Sequence, residues 1–302
     1  MKEYIHPQSL KHGDKAIIIS PSGHADPINI DKSKSMLESW GLNVILSEHS
    51  KGEYGRYAGT VSERLFDLQS AMNDKDIKLI FCSRGGYGIV QLLESLDFHE
   101  IIRYPKWLVG YSDITALHWA FLHNGIASLH APMSSHLAEE GEDVASIFLQ
   151  EILFSKKQTY SINSHPLNRS GKINGRLFGG NLTVFTGLMG SQYAQIPENS
   201  ILFIEDIAES PYKIDRMMWN LQLSGILSSI SGLIVGHFTN CEEDPLMKKT
   251  IYESIRQIVD KYDFPVAFDF PVGHIKNNYP LVHGGEYLFE VNKKNVLLTN
   301  VG

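Results

Sequence analysis

Ser112 is the residue in this sequence best placed to act as a nucleophile. It sits in Trp107 to Phe121, WLVGYSDITALHWAF. Trp107, Leu108 and Val109 read as the end of a buried strand. Ile114, Leu117, Ala120 and Phe121 recur at helical spacing. Strand, sharp turn and helix would put the Ser112 hydroxyl beside the unpaired amides that open the helix, where the dipole is positive. An oxyanion formed on a carbonyl attacked by Ser112 would meet donors already aimed at it. The geometry is that of a nucleophile elbow, although the residues are G-Y-S-D and not G-x-S-x-G. The alternative is that Ser112 or Asp113 only caps the helix.

A second glycine-rich turn, Ser83-Arg84-Gly85-Gly86-Tyr87-Gly88, follows the expected buried strand Ile77 to Cys82. It lacks the G-x-G-x-x-G spacing of a dinucleotide site. Gly85 and Gly86 would let backbone amides approach a ligand closely, since no Cβ intervenes. One of those amides and that of Asp113 could form an oxyanion hole; close helix–strand packing is the alternative role for the glycines.

A serine nucleophile needs a base, and the base needs an acid to hold its tautomer. Of thirteen histidines, His237, His274 and His283 fall at strand ends, whereas His118 and His123 read as helix residues that pack or face water. Glu205 and Asp206 end the apolar strand ILFI, where burial preference does not explain a carboxylate. Ser112, Glu205 and His274 would give the chain order nucleophile, acid, base, as in α/β-hydrolases. There is no HExxH, no histidine pair at metal spacing and no P-loop, so neither metal nor cofactor is expected.

These residues need elements to carry them. Short apolar runs at Ala16–Ile19, Val44–Leu46, Ile77–Cys82 and Trp107–Val109 alternate with helical segments, including Asp31–Trp40 and Ile89–Leu96. Thr60 with Glu63 has the form of a capping box. The pattern predicts an α/β protein with a parallel sheet covered on both faces and its site beyond the carboxyl ends of the strands. The pattern predicts a first domain over residues 1–140, a connecting stretch over 141–170, and a second domain, mixed and richer in β-structure, over 171–302. In the second domain the expected elements are a helix at Pro211–Leu223, a long helix at Met247–Tyr262, a strand at Val266–Phe270 and a terminal hairpin around Asn292–Asn295.

With 302 residues, 43% hydrophobic and 20% charged, the composition is that of a globular protein. A net charge of -7 argues against a broad basic face for nucleic acid or anionic membrane. Cys82 and Cys241 are too far apart in sequence to suggest a disulfide framework. The polar start MKEYIHPQSLKHGDK lacks the apolar core of a signal peptide, and a cytoplasmic protein is expected.

The motifs C-S-R-G-G-Y-G, G-Y-S-D-I-T-A-L-H, G-R-L-F-G-G-N-L, I-E-D-I-x-E-x-P-Y-K-I-D-R-M and F-P-V-G-H occur in that order from about Gly13 to the C-terminus. Together they resemble the motif series of the LD-carboxypeptidases, serine peptidases that remove terminal D-alanine from murein tetrapeptides in cell-wall recycling. Their relatives include the microcin C immunity peptidases, which cleave a peptidyl-nucleotide. The resemblance implies a Rossmann-like first domain, a β-rich second domain and a catalytic cleft between them. It implies Ser112 as nucleophile, Glu205 and His274 as acid and base, and the backbone amides of Gly86 and Asp113 as oxyanion donors. Arg84, beside Gly85, is the candidate cation for the substrate's terminal carboxylate; a surface salt bridge is its other reading. The sequence departs from the family's pattern at His283, where relatives usually have a different residue, and at Ile275, where a glycine is common. The expected partner is a small peptide. Enzymes of this kind often form homodimers, although no stretch marks an interface. The competing class is a non-catalytic module whose glycine loops bind an anion.

Overall fold

In a computed structural model, residues 4–302 are described, and they divide into two compact units. One comprises the chain up to Lys156 together with Tyr279–His283, and the other comprises Lys157–Asn278 and Gly284–Gly302.

The first unit is built on strands β1 (Lys15–Ile19), β2 (Asn43–Leu46), β3 (Ile77–Cys82), β4 (Trp107–Gly110) and β5 (Ser128–His130). They pair in parallel in the order β5-β4-β3-β1-β2, and Leu281–His283 adds an antiparallel strand beside β5. Burial on both faces explains the unbroken apolar runs: Ala16, Ile18, Ile19, Leu79, Ile80, Phe81, Leu108 and Val109 are fully buried. Between β2 and β3, Thr60 and Glu63 form a complete capping box on the helix Val61–Asn73. The first helix starts earlier than its apolar spacing predicts, at Pro27, because Asp26 accepts a hydrogen bond from the Ile28 amide and proline suits the first helical position.

Ile89–Leu96 is not the predicted α-helix but two 3₁₀ turns, Ile89–Gln91 and Leu93–Ser95. The Ile89 amide is held by the Asp113 carboxylate and the Gly88 carbonyl by Arg64. Those anchors outside the segment set the course of its first turn.

Residues 141–170 carry regular structure where the sequence suggests a connector. The helix Val144–Leu153, capped by Asp143, buries Ala145, Leu149 and Leu153 in the first unit, and the Leu153 carbonyl accepts from the Leu10 amide. Burying each leucine contributes roughly 1.5–3 kcal/mol, enough to hold this helix to the sheet domain.

The second unit holds β6 (Thr159–Asn163), β7 (Gly171–Asn181), β8 (Ser200–Ile207), β9 (Ile230–Thr239) and β10 (Val266–Ala267). After β11, the strand Leu281–His283 of the first unit, come β12 (Glu286–Val291) and β13 (Asn295–Asn300). The seven strands of this unit lie in the order β10-β9-β8-β7-β12-β13-β6. β7 through β10 run parallel, and β7, β12, β13 and β6 are antiparallel. The long β7 joins the two halves, pairing with β12 through Gly171–Arg176 and with β8 through Leu177–Asn181.

Two predicted spans are shorter than expected. Lys248 adopts φ 55° and ends the turn Pro245–Met247, so the helix begins only at Ile251, with Thr250 and Glu253 as a capping box, and runs to Ile258. β10 stops at Ala267, and two residues later Asp269 takes φ 61°, which no strand accommodates.

Candidate active site

Ser112 stands at the carboxyl end of β4. Tyr111 is still extended, Ser112 turns to φ 64°, and Ser112–Ile114 form a 3₁₀ turn into the helix Thr115–His123. A left-handed serine costs of order 1–3 kcal/mol, and such strain gathers at functional positions. Among the described residues no side chain caps this helix, and the Asp113 carboxylate is engaged elsewhere, so neither residue serves as its cap.

The SRGGYG turn lies directly against this elbow. A Cβ on Gly85 would fall 2.7 Å from Ser112 Cβ, 2.9 Å from its Oγ and 3.2 Å from the Asp113 amide nitrogen. Only bare backbone fits there, which gives the first glycine its physical reason. Gly86, at φ 111°, packs on the Gly23 backbone. Arg84 is exposed and donates to the His24 carbonyl at 2.9 Å, a backbone contact instead of a salt bridge.

Behind the elbow is a cluster of buried histidines that the sequence did not connect. His118, read as packing or solvent-facing, packs: its Nε2 is 2.8 Å from the Gly110 carbonyl and its Nδ1 2.8 Å from Ser128 Oγ. His283 stacks on it at 4.7 Å. Burial lowers His118 to about 4 and holds His283 well below the usual imidazole value. Both rings are therefore neutral at pH 7, and His283 lies in the first unit's sheet, stacked among these rings.

In the second unit the other candidates are brought together. His274 Nδ1 is 2.7 Å from Glu205 Oε2. Glu205 is wholly buried, and its Oε1 has no hydrogen-bond partner among the described residues. Burying a carboxylate with one oxygen unmatched is costly, so its persistence points to a role beyond stability. β8 lies between β7 and β9 and is buried along nearly its whole length, so the adjacent carboxylates Glu205 and Asp206 are both buried.

The two acids are separated by their partners. Asp206 accepts from the Thr183 amide and hydroxyl at 2.9 and 2.7 Å and from Asn181 Nδ2 at 2.9 Å, fixing the turn after β7. Burial pushes its carboxyl up, opposed by the Thr183 hydrogen bond. Glu205 alone meets an imidazole. Gly273, at φ 123°, makes that possible: a Cβ there would lie 2.9 Å from Glu205 Cβ and 3.0 Å from Oε2. His237, the other strand-end candidate of this unit, faces Asp269 at 3.5 Å near the surface.

Two family profiles match the chain: the LD-carboxypeptidase N-terminal domain over residues 17–131 and the LD-carboxypeptidase C-terminal domain over residues 174–288. The chain belongs to the LD-carboxypeptidase family. It is a peptidase of that family with the family's two-domain α/β architecture. The murein tetrapeptide carboxypeptidase of Pseudomonas aeruginosa is 30% identical, over 92% of this chain and 94% of its own. The crystal structure of muramoyltetrapeptide carboxypeptidase from Oxalobacter formigenes superposes with a TM-score of 0.87 at 28% identity, over 95% of this chain and 98% of that one. The microcin C7 self-immunity protein of Escherichia coli is 28% identical, over 80% of this chain and 79% of its own.

Among the described residues no group of three or more His, Cys, Asp or Glu is arranged to hold a metal ion, and no helix is long and apolar enough to cross a membrane.

Proposed function

We propose that this peptidase is a serine carboxypeptidase that hydrolyses the L,D-peptide bond to the terminal D-alanine of murein tetrapeptides. The observation that carries the reading is the 2.7 Å contact of His274 Nδ1 with the buried Glu205 carboxylate, in a chain of this family. A carboxylate on Nδ1 fixes that nitrogen as the protonated one and makes Nε2 the basic nitrogen.

In the proposed reaction Nε2 of His274 takes the proton of Ser112 Oγ as that oxygen attacks the scissile carbonyl carbon. The amides of Gly86 and Asp113 donate to the resulting oxyanion; removing one such donor typically costs roughly 3 kcal/mol. Collapse breaks the C–N bond, His274 returns its proton to the departing D-alanine amine, and water then releases the acyl group from Ser112 by the same base. Arg84 is the proposed partner of the substrate's free carboxylate. A cytoplasmic location, where recycled tetrapeptides are processed, accords with this role.

The test is release of D-alanine from an L,D-tetrapeptide by wild type and by Ser112→Ala. Turnover by wild type and none by the variant supports the reading; equal rates refute it. The similarity to the microcin immunity protein favours one alternative substrate, an aminoacyl- or peptidyl-nucleotide. Cleavage of such a compound with no tetrapeptide hydrolysis would replace the murein assignment and keep the serine chemistry.

A further inference from the structure

The elbow's neighbourhood contains a closed ring of polar contacts that the proposed chemistry does not use directly. Asp113, 3% exposed, accepts from Ser22 Oγ at 2.6 Å and from the Ile89 amide at 3.0 Å, both through Oδ2. Arg64, 1% exposed, donates from one terminal nitrogen to the Pro21 carbonyl at 3.0 Å and the Gly88 carbonyl at 3.1 Å. Its Nε donates to Gly59, its other terminal nitrogen to Gln91, and its guanidinium lies 4.8 Å from the Tyr57 ring centre.

Pro21 adjoins Ser22 and Gly88 adjoins Ile89 in sequence. Arg64 and Asp113 therefore grip the same two loops, after β1 and after β3, one residue apart on each. Ser22, Asp113, Ile89, Gly88, Arg64 and Pro21 close into a ring, and the third loop, after β4, joins it through Asp113. Gly86 is carried along, because the Gly23 amide donates to the Gly85 carbonyl at 2.9 Å and Gly86 packs on Gly23.

We propose that Ser22, Arg64 and the Asp113 carboxylate are positioning residues of the hydrolysis, locking the three loops so that the amides of Gly86 and Asp113 converge beside Ser112. The inference rests on the serine-hydrolase reading above. Asp113 then has two roles: its amide faces the reacting carbonyl, and its carboxylate keeps that amide aimed by holding the residue to both neighbouring loops. A buried guanidinium that, among the described residues, donates only to neutral acceptors fits this role; it cross-links carbonyls, and its charge offsets that of Asp113 across the ring.

The experiment measures kcat and KM for D-alanine release from an L,D-tetrapeptide, together with thermal stability, for full-length wild type, Ser22→Ala, Arg64→Lys and Ser112→Ala. Losing the alignment of one amide should lower kcat about 10- to 100-fold in Ser22→Ala and Arg64→Lys, with KM within about twofold, since an oxyanion donor acts in the transition state. A kcat within about twofold of wild type in Ser22→Ala, whatever happens to its melting temperature, would overturn the inference. Should Arg64→Lys fail to fold, Ser22→Ala decides alone. Full activity in Ser112→Ala would instead overturn the reading on which the inference rests. If wild type does not cleave tetrapeptide, the same variants are compared by the rate at which a fluorophosphonate labels Ser112. That rate needs the serine and the amides but no peptide pocket, and the same fold-changes apply.

Discussion

Gly273→Ala is the perturbation whose effect follows most directly from the geometry. The substitution adds one carbon, in a loop at φ 123°, 2.9 Å from Glu205 Cβ and 3.0 Å from the carboxylate oxygen that meets His274. Non-bonded carbons rest at roughly 3.5–4.0 Å, so the loop or the carboxylate must yield by about 1 Å. The His274–Glu205 contact is 2.7 Å, and lengthening it by about 1 Å takes it outside hydrogen-bonding range. A misplacement of this size in a catalytic array can cost about 10²-fold in rate. The backbone strain adds about 1–3 kcal/mol of lost stability, read independently by thermal or urea unfolding. The assay is kcat on an L,D-tetrapeptide, corrected for the folded fraction. Wild-type kcat in the folded Gly273→Ala protein would refute the claim that this glycine exists to admit Glu205 to His274.

Other outcomes follow from the same contacts. Glu205→Gln should keep the fold and lower kcat by about 10⁴-fold, as when a triad acid can no longer fix the tautomer; a steady-state assay checks it. Ser112→Gly should abolish turnover while raising stability by about 0.5–1 kcal/mol in urea unfolding, because φ 64° is strained for serine and free for glycine. His118 should make the fold acid-sensitive. Burial lowers it from 6.5 to about 4, so the unfolded chain binds the extra proton between those values. Its contribution is complete above pH 6.5 and is lost as the pH falls toward about 4, roughly 3 kcal/mol in all. Urea unfolding at several pH values should show a steeper acid loss in wild type than in His118→Asn; parallel curves would contradict the assignment.

The sequence made the first sheet legible because both faces of a parallel sheet are covered, so Ala16–Ile19 of β1, Leu79–Cys82 of β3 and Trp107–Val109 of β4 read as apolar runs. It indicated the elbow through the change from WLVG to a helical period across Tyr111-Ser112-Asp113. The pairing of Glu205 with His274 was only one option among several strand-end residues. Glu205 and Asp206 differ in their partners: Thr183 and Asn181, more than twenty residues earlier in the chain, occupy Asp206, and His274 meets Glu205. No local pattern carries that information. The same holds for Arg64, which looks like a surface residue of an amphipathic helix yet is buried among carbonyls of three loops. The polar GEDV at the start of the helix Val144–Leu153 has the composition of a linker, although Asp143 within it is the helix cap. The glycine beside His274 is visible in F-P-V-G-H, but its close approach to Glu205 appears only in three dimensions.

The central claim is that Ser112 is a nucleophile activated by His274 and Glu205, and its most direct measurement is peptide mapping by mass spectrometry after reaction with a fluorophosphonate. The account predicts a single stoichiometric adduct on Ser112 in wild type, formed far more slowly in His274→Ala. An adduct on another residue, or labelling of Ser112 at the same rate without His274, would contradict it.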